Sequence, residues 1–302
     1  MTGQRYKIVG LGEILWDMLP SGKQLGGAPA NFAYISTLLG NEGIVASRVG
    51  NDSLGTEALR QLAALGLNTE FVERDPVHPT GTVQVEVDHA GQPKFEIAEG
   101  VAWDFLEWTS HWQQLAEQAN AICLGSLAQR AAPSRATIRQ FLGAAQNKAV
   151  RVFDVNLRQA FFSREVLAES MKVSDIVKLN HEELPKLMQL FGLDHGDEIA
   201  SADSLMELHH LKLICVTRGC RGSLLISPQG LNEHPGYRIQ VADAIGAGDA
   251  FTAGLVHKYL RGSSLPEMNE TANRVGAWVA SQVGAMPSPG EGGIRDEMAR
   301  LG

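Results

Sequence analysis

Only three cysteines, Cys123, Cys215 and Cys220, occur in 302 residues. They are odd in number and lack metal-ligand spacing. That excludes a disulfide framework and a structural zinc site, and suits a reduced cytosolic compartment. Basic charge is also short, with 26 Lys and Arg against 34 Asp and Glu and a formal net charge of −8. The balance argues against nucleic acid or an anionic membrane as partner, while leaving room for a local basic pocket. Near the N-terminus, Glu13 and Asp17 interrupt a short apolar run. Neither a signal segment nor a membrane helix is expected there, so the expectation is a soluble, cytoplasmic, unanchored protein. Internal repeats and low-complexity segments are absent.

Two common nucleotide signatures are missing as well. Gly10 and Gly12 could begin a dinucleotide fingerprint, but its third glycine falls on Leu15, and Glu13 to Leu19 looks extended rather than helical. This disfavours a Rossmann oxidoreductase. Gly22-Lys23 is not a Walker A loop, because Asp17 stands five residues before Gly22 and Gln24 follows the lysine.

What the chain does have is length and an apolar content of 44%. A chain of this size buries about three quarters of its extended surface, enough for a full core. Strands are predicted at Ile8–Gly12, Ile44–Val49, Ala121–Leu124, Val150–Asp154, Ile176–Leu179, Leu213–Thr217 and Ser223–Ile226. Helices fall between most of them, and alternation of this kind favours a parallel sheet that gathers ligands at the C-terminal ends of its strands. Thr80–Asp88 and Lys94–Ala98, around His89-Ala90-Gly91-Gln92, read as a hairpin.

The most informative stretch is Asp243-Ala244-Ile245-Gly246-Ala247-Gly248-Asp249. Before it, Tyr237–Val241 reads as extended. After it a helix opens, with apolar positions at Phe251, Leu255, Val256 and Leu260. Two glycines one residue apart let backbone N–H groups converge, and the helix adds a positive end of roughly half an elementary charge. That is an anion site, with phosphate its usual occupant. Asp249 alone would read as a helix-capping carboxylate. Beside a phosphate it can also take a proton from an attacking hydroxyl.

A second stretch, Gly26-Gly27-Ala28-Pro29-Ala30-Asn31, precedes a helix that ends at Gly40 and buries Phe32, Ile35, Leu38 and Leu39. Taken alone it is a glycine turn before an ordinary helix, though Gly27 would let a ligand approach and Asn31 offers donor and acceptor. Asp52 or Ser53 reads as a helix cap. In Asp154-x-Asn156-x-Arg158, the first two residues suit loop structure, whereas the Arg158 guanidinium suits substrate or phosphate oxygens. Asn180 with Glu183 suits a capping box. His209 and His210, ending a polar helix, read as solvated surface.

Together these motifs resemble the ribokinase/PfkB carbohydrate kinases. Ala244 stands where that family usually has threonine. The stretches Gly12–Asp17, Gly27–Ala33, His78–Val83, Ala102–Asp104 and Gly125–Arg130 look closest to the fructokinase-like subgroup. The resemblance implies a three-layer α/β fold with a mainly parallel central sheet flanked by helices. It implies one kinase domain over residues 1–302, with a small β-sheet lid inserted from about 13–26 and 78–104. It implies ATP-dependent transfer to a sugar hydroxyl, with fructose the first expectation. Another sugar, 2-keto-3-deoxygluconate, a nucleoside, or a catalytically silent sensor are the alternatives.

By resemblance, Asp249 is the base and Gly246, Ala247 and Gly248 form the anion hole. Asp17, Gly27 and Asn31 bind the sugar. Asn180 and Glu183 act near Mg²⁺ and the phosphates through water; Thr217, Gly219 and Gly222 form the nucleotide loop, and Asn273 contacts adenine. Carbonyls of Asp243, Ile245, Val279, Gln282 and Gly284 and the Ser288 hydroxyl would hold K⁺. Some relatives pair lid with lid, so the resemblance admits a homodimer.

Overall fold

In the computed structural model, residues 4–20, 22–87, 93–194 and 196–301 are described. In chain order the elements are β1 (Lys7–Leu11), β2 (Leu15–Leu19), β3 (Gly22–Gly26), α1 (Ala28–Leu38), β4 (Glu42–Gly50), α2 (Ser53–Ala64) and β5 (Val72–Asp75). Then come β6 (Gly81–Val87), β7 (Pro93–Ile97), α3 (Ser110–Gln118), β8 (Ala121–Gly125), α4 (Ala132–Ala144), β9 (Val150–Asp154), α5 (Arg164–Lys172) and β10 (Ile176–Asn180). The chain closes with α6 (Glu183–Phe191), α7 (Glu198–His209), β11 (Leu213–Thr217), β12 (Ser223–Ser227), β13 (Gly230–His234), α8 (Ala247–Tyr259), α9 (Leu265–Ala280) and α10 (Gly293–Ala299).

Nine strands form the main sheet in the order β13-β12-β11-β10-β9-β8-β1-β4-β5. All pair in parallel except β12 and β13, which form an antiparallel edge. Strand alternation sends successive side chains to opposite faces. Val9, Ile122, Leu124, Val177 and Val216 pack with α3 to α7. Ile8, Ala121, Cys123, Ile176 and Cys215 pack with α1, α8 and α9. Both faces are therefore covered, as a parallel sheet requires, and the expected three-layer architecture is present.

The chain runs outward from β1 to β4 and β5, then returns to β8 and continues through β9, β10 and β11. Direction thus reverses between β1 and β8, the kind of position where open α/β sheets leave a crevice for ligands. The segments after β1, β8, β9 and β10 all open towards it.

A separate sheet of order β3-β2-β6-β7 stands beside the main one. It joins the expected extended residues near Leu15–Leu19 to the hairpin, and adds β3, which local pattern did not reveal as a strand. The expected turn at 89–92 lies outside the described residues. The base of this sheet is tied down by side chains. Asp52 caps α2 at Gly55 N and also accepts from Thr80 N and Thr80 Oγ1, at 2.7 to 2.8 Å. Arg130 bridges both oxygens of Asp104 at 2.8 Å and stacks 4.1 Å over Trp103. Two of the fructokinase-like stretches therefore meet each other.

Two local expectations change. Tyr237–Val241 forms no ladder; it reaches the helix without strand pairing, with Ala242 N donating to Ala280 O at 2.9 Å. His209 is half-buried rather than solvated, edge-on to Phe191, and burial lowers its pKa. Among the described residues, no helix is long and apolar enough to cross a membrane.

Candidate active site

Gly246 opens α8 in the left-handed conformation, φ 76°. A side chain there would be strained, and its Cβ would meet Ala285 Cβ at 2.4 Å. The turn is held from below: Gly284 N and Ile245 N both donate to the Asp243 carboxylate, at 3.2 and 2.9 Å. This brings together the two segments proposed to share a monovalent cation, although the Val279 carbonyl already accepts from Gln282 N at 2.9 Å. Ser288 lies beside Tyr34, whose hydroxyl donates to Pro287 O.

Three backbone amides at this turn, those of Ala247, Gly248 and Asp249, could face a phosphoryl group, and that of Ala247 already turns back to Ala244 O at 3.3 Å. Those of Gly248 and Asp249 lie in the first helical turn, where no intrahelical acceptor exists. The hole is thus narrower in donors than its sequence suggests.

The two glycine motifs, more than 200 residues apart, meet at one hydrogen bond: Asn31 Nδ2 donates to Asp249 Oδ2 at 2.8 Å. Asn31 is 4% exposed, and its own Oδ1 is buried without a partner. A small cavity adjoins Asp249, walled by Phe32, Cys123, Gly125, Asp154, Asn156 and Thr252. Burial, then the nearby Asp154, push the Asp249 pKa from 3.8 up to about 6, against Asn31, Lys178 and Arg158. A carboxylate so tuned is a stronger proton acceptor than an exposed one, yet ionised at neutral pH.

Gly27 is needed by packing as much as by any ligand: φ is 116°, and a Cβ would lie 2.4 Å from Glu13 O. Asp17 sits on β2 opposite Gln24, and burial lifts its pKa to about 6 although Arg158 opposes. Arg158 is exposed, and its charge is felt by Glu13, Asp17 and Asp249 together.

The nucleotide-side expectations fare less evenly. Asn180 Oδ1 accepts from Glu182 N and Glu183 N, and the Glu183 carboxylate in turn accepts from Asn180 N at 2.8 Å. The other Glu183 oxygen accepts from Leu157 N at 2.7 Å. The capping box therefore forms, and a carboxylate bonded this way offers a cation only its remaining lone pairs. Asn273 is buried and its amide nitrogen donates to Ser223 Oγ and Asn269 O, into the protein. Thr217 ends β11 with its hydroxyl towards Leu179 O. Gly219, φ 61°, has open space about it, whereas Gly222 is required by packing, since a Cβ would strike His234 O at 1.9 Å.

Two residues escaped the sequence reading. Glu13 follows β1, is 3% exposed, and its Oε2 is buried without a partner. Burial raises its pKa from 4.5 to about 7, over the lowering pull of nearby backbone amides. Lys178 on β10 is buried beneath Gly248 and pairs with Asp154 at 3.0 Å. A lysine inside a β run was the available signal for the second; nothing local marked the first.

Solved structures with this architecture include sugar kinases. The chain matches a fructokinase of Xylella fastidiosa with bound ATP at a TM-score of 0.85 and 25% identity, over 99% of this chain and 98% of the other. It matches an uncharacterized sugar kinase of Pyrococcus horikoshii in complex with ATP at 0.81 and 28% identity, over 97% and 99%. By sequence it is 30% identical to the fructokinase of Escherichia coli over 93% of this chain and 95% of the relative. The description of the pfkB family carbohydrate kinases matches residues 21–290, and the chain belongs to that family. It is a phosphotransferase that acts on a carbohydrate.

Proposed function

We propose that the protein transfers the γ-phosphoryl group of ATP, entering as its Mg²⁺ complex, to a primary hydroxyl of fructose. The observation that carries this reading is the Asn31–Asp249 hydrogen bond, which couples the sugar motif to the anion site. Asp249 takes the hydroxyl proton as the oxygen attacks phosphorus. The amides of Gly248 and Asp249 stabilise the equatorial oxygens, each such donor supplying about 3 kcal/mol in the transition state by analogy with oxyanion holes. Asp17 and Gly27 orient the sugar with Asn31. Thr217 and Gly219 border the nucleotide, and Asn180 and Glu183 would hold Mg²⁺ near the phosphates, largely through water. K⁺ beneath the turn would stiffen it. The four-stranded sheet would act as a lid that excludes water, which otherwise competes for the phosphoryl group.

Fructose is favoured by the likeness to fructokinases. A sugar acid such as 2-keto-3-deoxygluconate is the second reading, favoured by the exposed Arg158 guanidinium, whose charge reaches Asp17 and Asp249. An ADP-release assay over fructose, 2-keto-3-deoxygluconate, ribose and adenosine decides. Fructose should give the highest kcat/KM. Preference for the acid, lost in Arg158→Ala, would replace fructose with the second reading. No turnover with any acceptor, despite ligand-induced melting shifts, would point to a sensor instead.

A further inference from the structure

A buried ion pair lies beneath the N-terminus of α8. Lys178 Nζ sits 3.0 Å from each carboxylate oxygen of Asp154. Thr252 Oγ1 lies 3.0 Å from Asp154 Oδ2 and 3.0 Å from Gly248 O, tying the pair to the helix. A Cβ on Gly248 would stand 3.0 Å from Lys178 Nζ. The ammonium is therefore packed against the turn where phosphoryl transfer is placed. All of this lies on the α8 face of the sheet, among apolar neighbours.

Stability does not explain such a pair. Two charges taken out of water cost several kcal/mol each, and an apolar replacement of similar volume is often neutral or stabilising. Position does explain it. An unpaired Asp154 would repel the Asp249 carboxylate, and an unpaired Lys178 would hold that carboxylate too firmly ionised to accept a proton well. The other groups facing Asp249 are Asn31 from α1, Glu13 after β1, the Cys123 thiol of β8, and Arg158 after β9; Glu183 of α6 faces Lys178.

We propose that Lys178 and Asp154 are positioning residues for phosphoryl transfer: a compensated charge pair that supports the α8 turn and keeps the Asp249 carboxylate in a proton-accepting state. This rests on Asp249 being the base. Thr252 fixes the pair's distance from the turn, so the compensation is set by the fold.

The test is an NMR titration of the Asp249 carboxyl carbon, assigned with Asp249→Asn, in the full-length wild type, Asp154→Asn, Lys178→Met and the double variant. It needs no substrate. Asp154→Asn keeps the shape and one acceptor oxygen while removing a negative charge, so the midpoint should fall by about one pH unit. Lys178→Met should raise it by a similar amount, and the double variant should return close to wild type. A purely structural pair would lower melting temperature without moving the midpoint in opposite directions. An unchanged midpoint in Asp154→Asn overturns the proposal even if Lys178→Met fails to fold. The acid limb of kcat/KM with fructose and MgATP should follow the midpoints. A limb that stays put while the midpoints move would leave the pairing intact and refute Asp249 as the base.

Discussion

Replacing Glu13 by Gln should stabilise the protein at alkaline pH, against the usual cost of altering a buried polar residue. The carboxyl is buried, one oxygen lacks a partner, and burial is the main reason its pKa stands at about 7 rather than 4.5. The difference corresponds to about 3 kcal/mol that the folded state loses when Glu13 ionises. The loss begins as pH rises past 4.5, where the unfolded chain gives up its proton, and is complete above about 7. Glutamine keeps the shape and never ionises. At pH 8 the gain should approach 3 kcal/mol as an upper bound, or about 5 °C in Tm for a chain of this size. At pH 4.5 the two proteins should melt together. Scanning fluorimetry of apoprotein across pH 4.5 to 8.5 is sufficient. A Tm difference that is absent at pH 8, or that does not change with pH, would refute the claim that Glu13 is a desolvated acid.

The remaining predictions concern chemistry and backbone. Asp249→Asn should lower kcat by at least the 10²–10⁴ expected of a positioned base while ATP binding by calorimetry stays near normal; retained turnover would rule out the base. In the wild type, kcat/KM should fall as pH drops through about 6, where Asp249 gains its proton; a flat profile from pH 5 to 8 would contradict this. Gly246→Ala meets both a left-handed φ and Ala285, so it should cost about 1–3 kcal/mol and turn the anion amides away, seen as a loss in kcat larger than any change in KM. Asp52→Ala removes the α2 cap and both bonds to Thr80, and urea titration should show a loss of at least about 1 kcal/mol.

Most of the main sheet was legible because its strands are short apolar runs bounded by glycine, and buried parallel strands leave that trace. The Gly246–Asp249 turn was legible for a similar reason: only glycine tolerates the conformation at 246, so the residue type reports the backbone. β3 was not, since Gly22-Lys23-Gln24-Leu25-Gly26 becomes a strand only by pairing with β2. Asn180 and Glu183 illustrate the converse. The local capping pattern was correct, and the fold used it to the full.

Residue types and spacing alone determined that a carboxylate follows an anion-binding turn, that glycines flank a helix start near the N-terminus, and that a parallel sheet connects them. Tertiary structure alone decided that Asn31 reaches Asp249, that Asn273 donates into the protein, and that Glu13 and the Lys178–Asp154 pair crowd the same carboxylate. The physical reason is range. Backbone conformation and periodicity act over a few residues and are written locally, whereas desolvation and Coulomb forces act between groups that only the folded chain brings within a few ångströms.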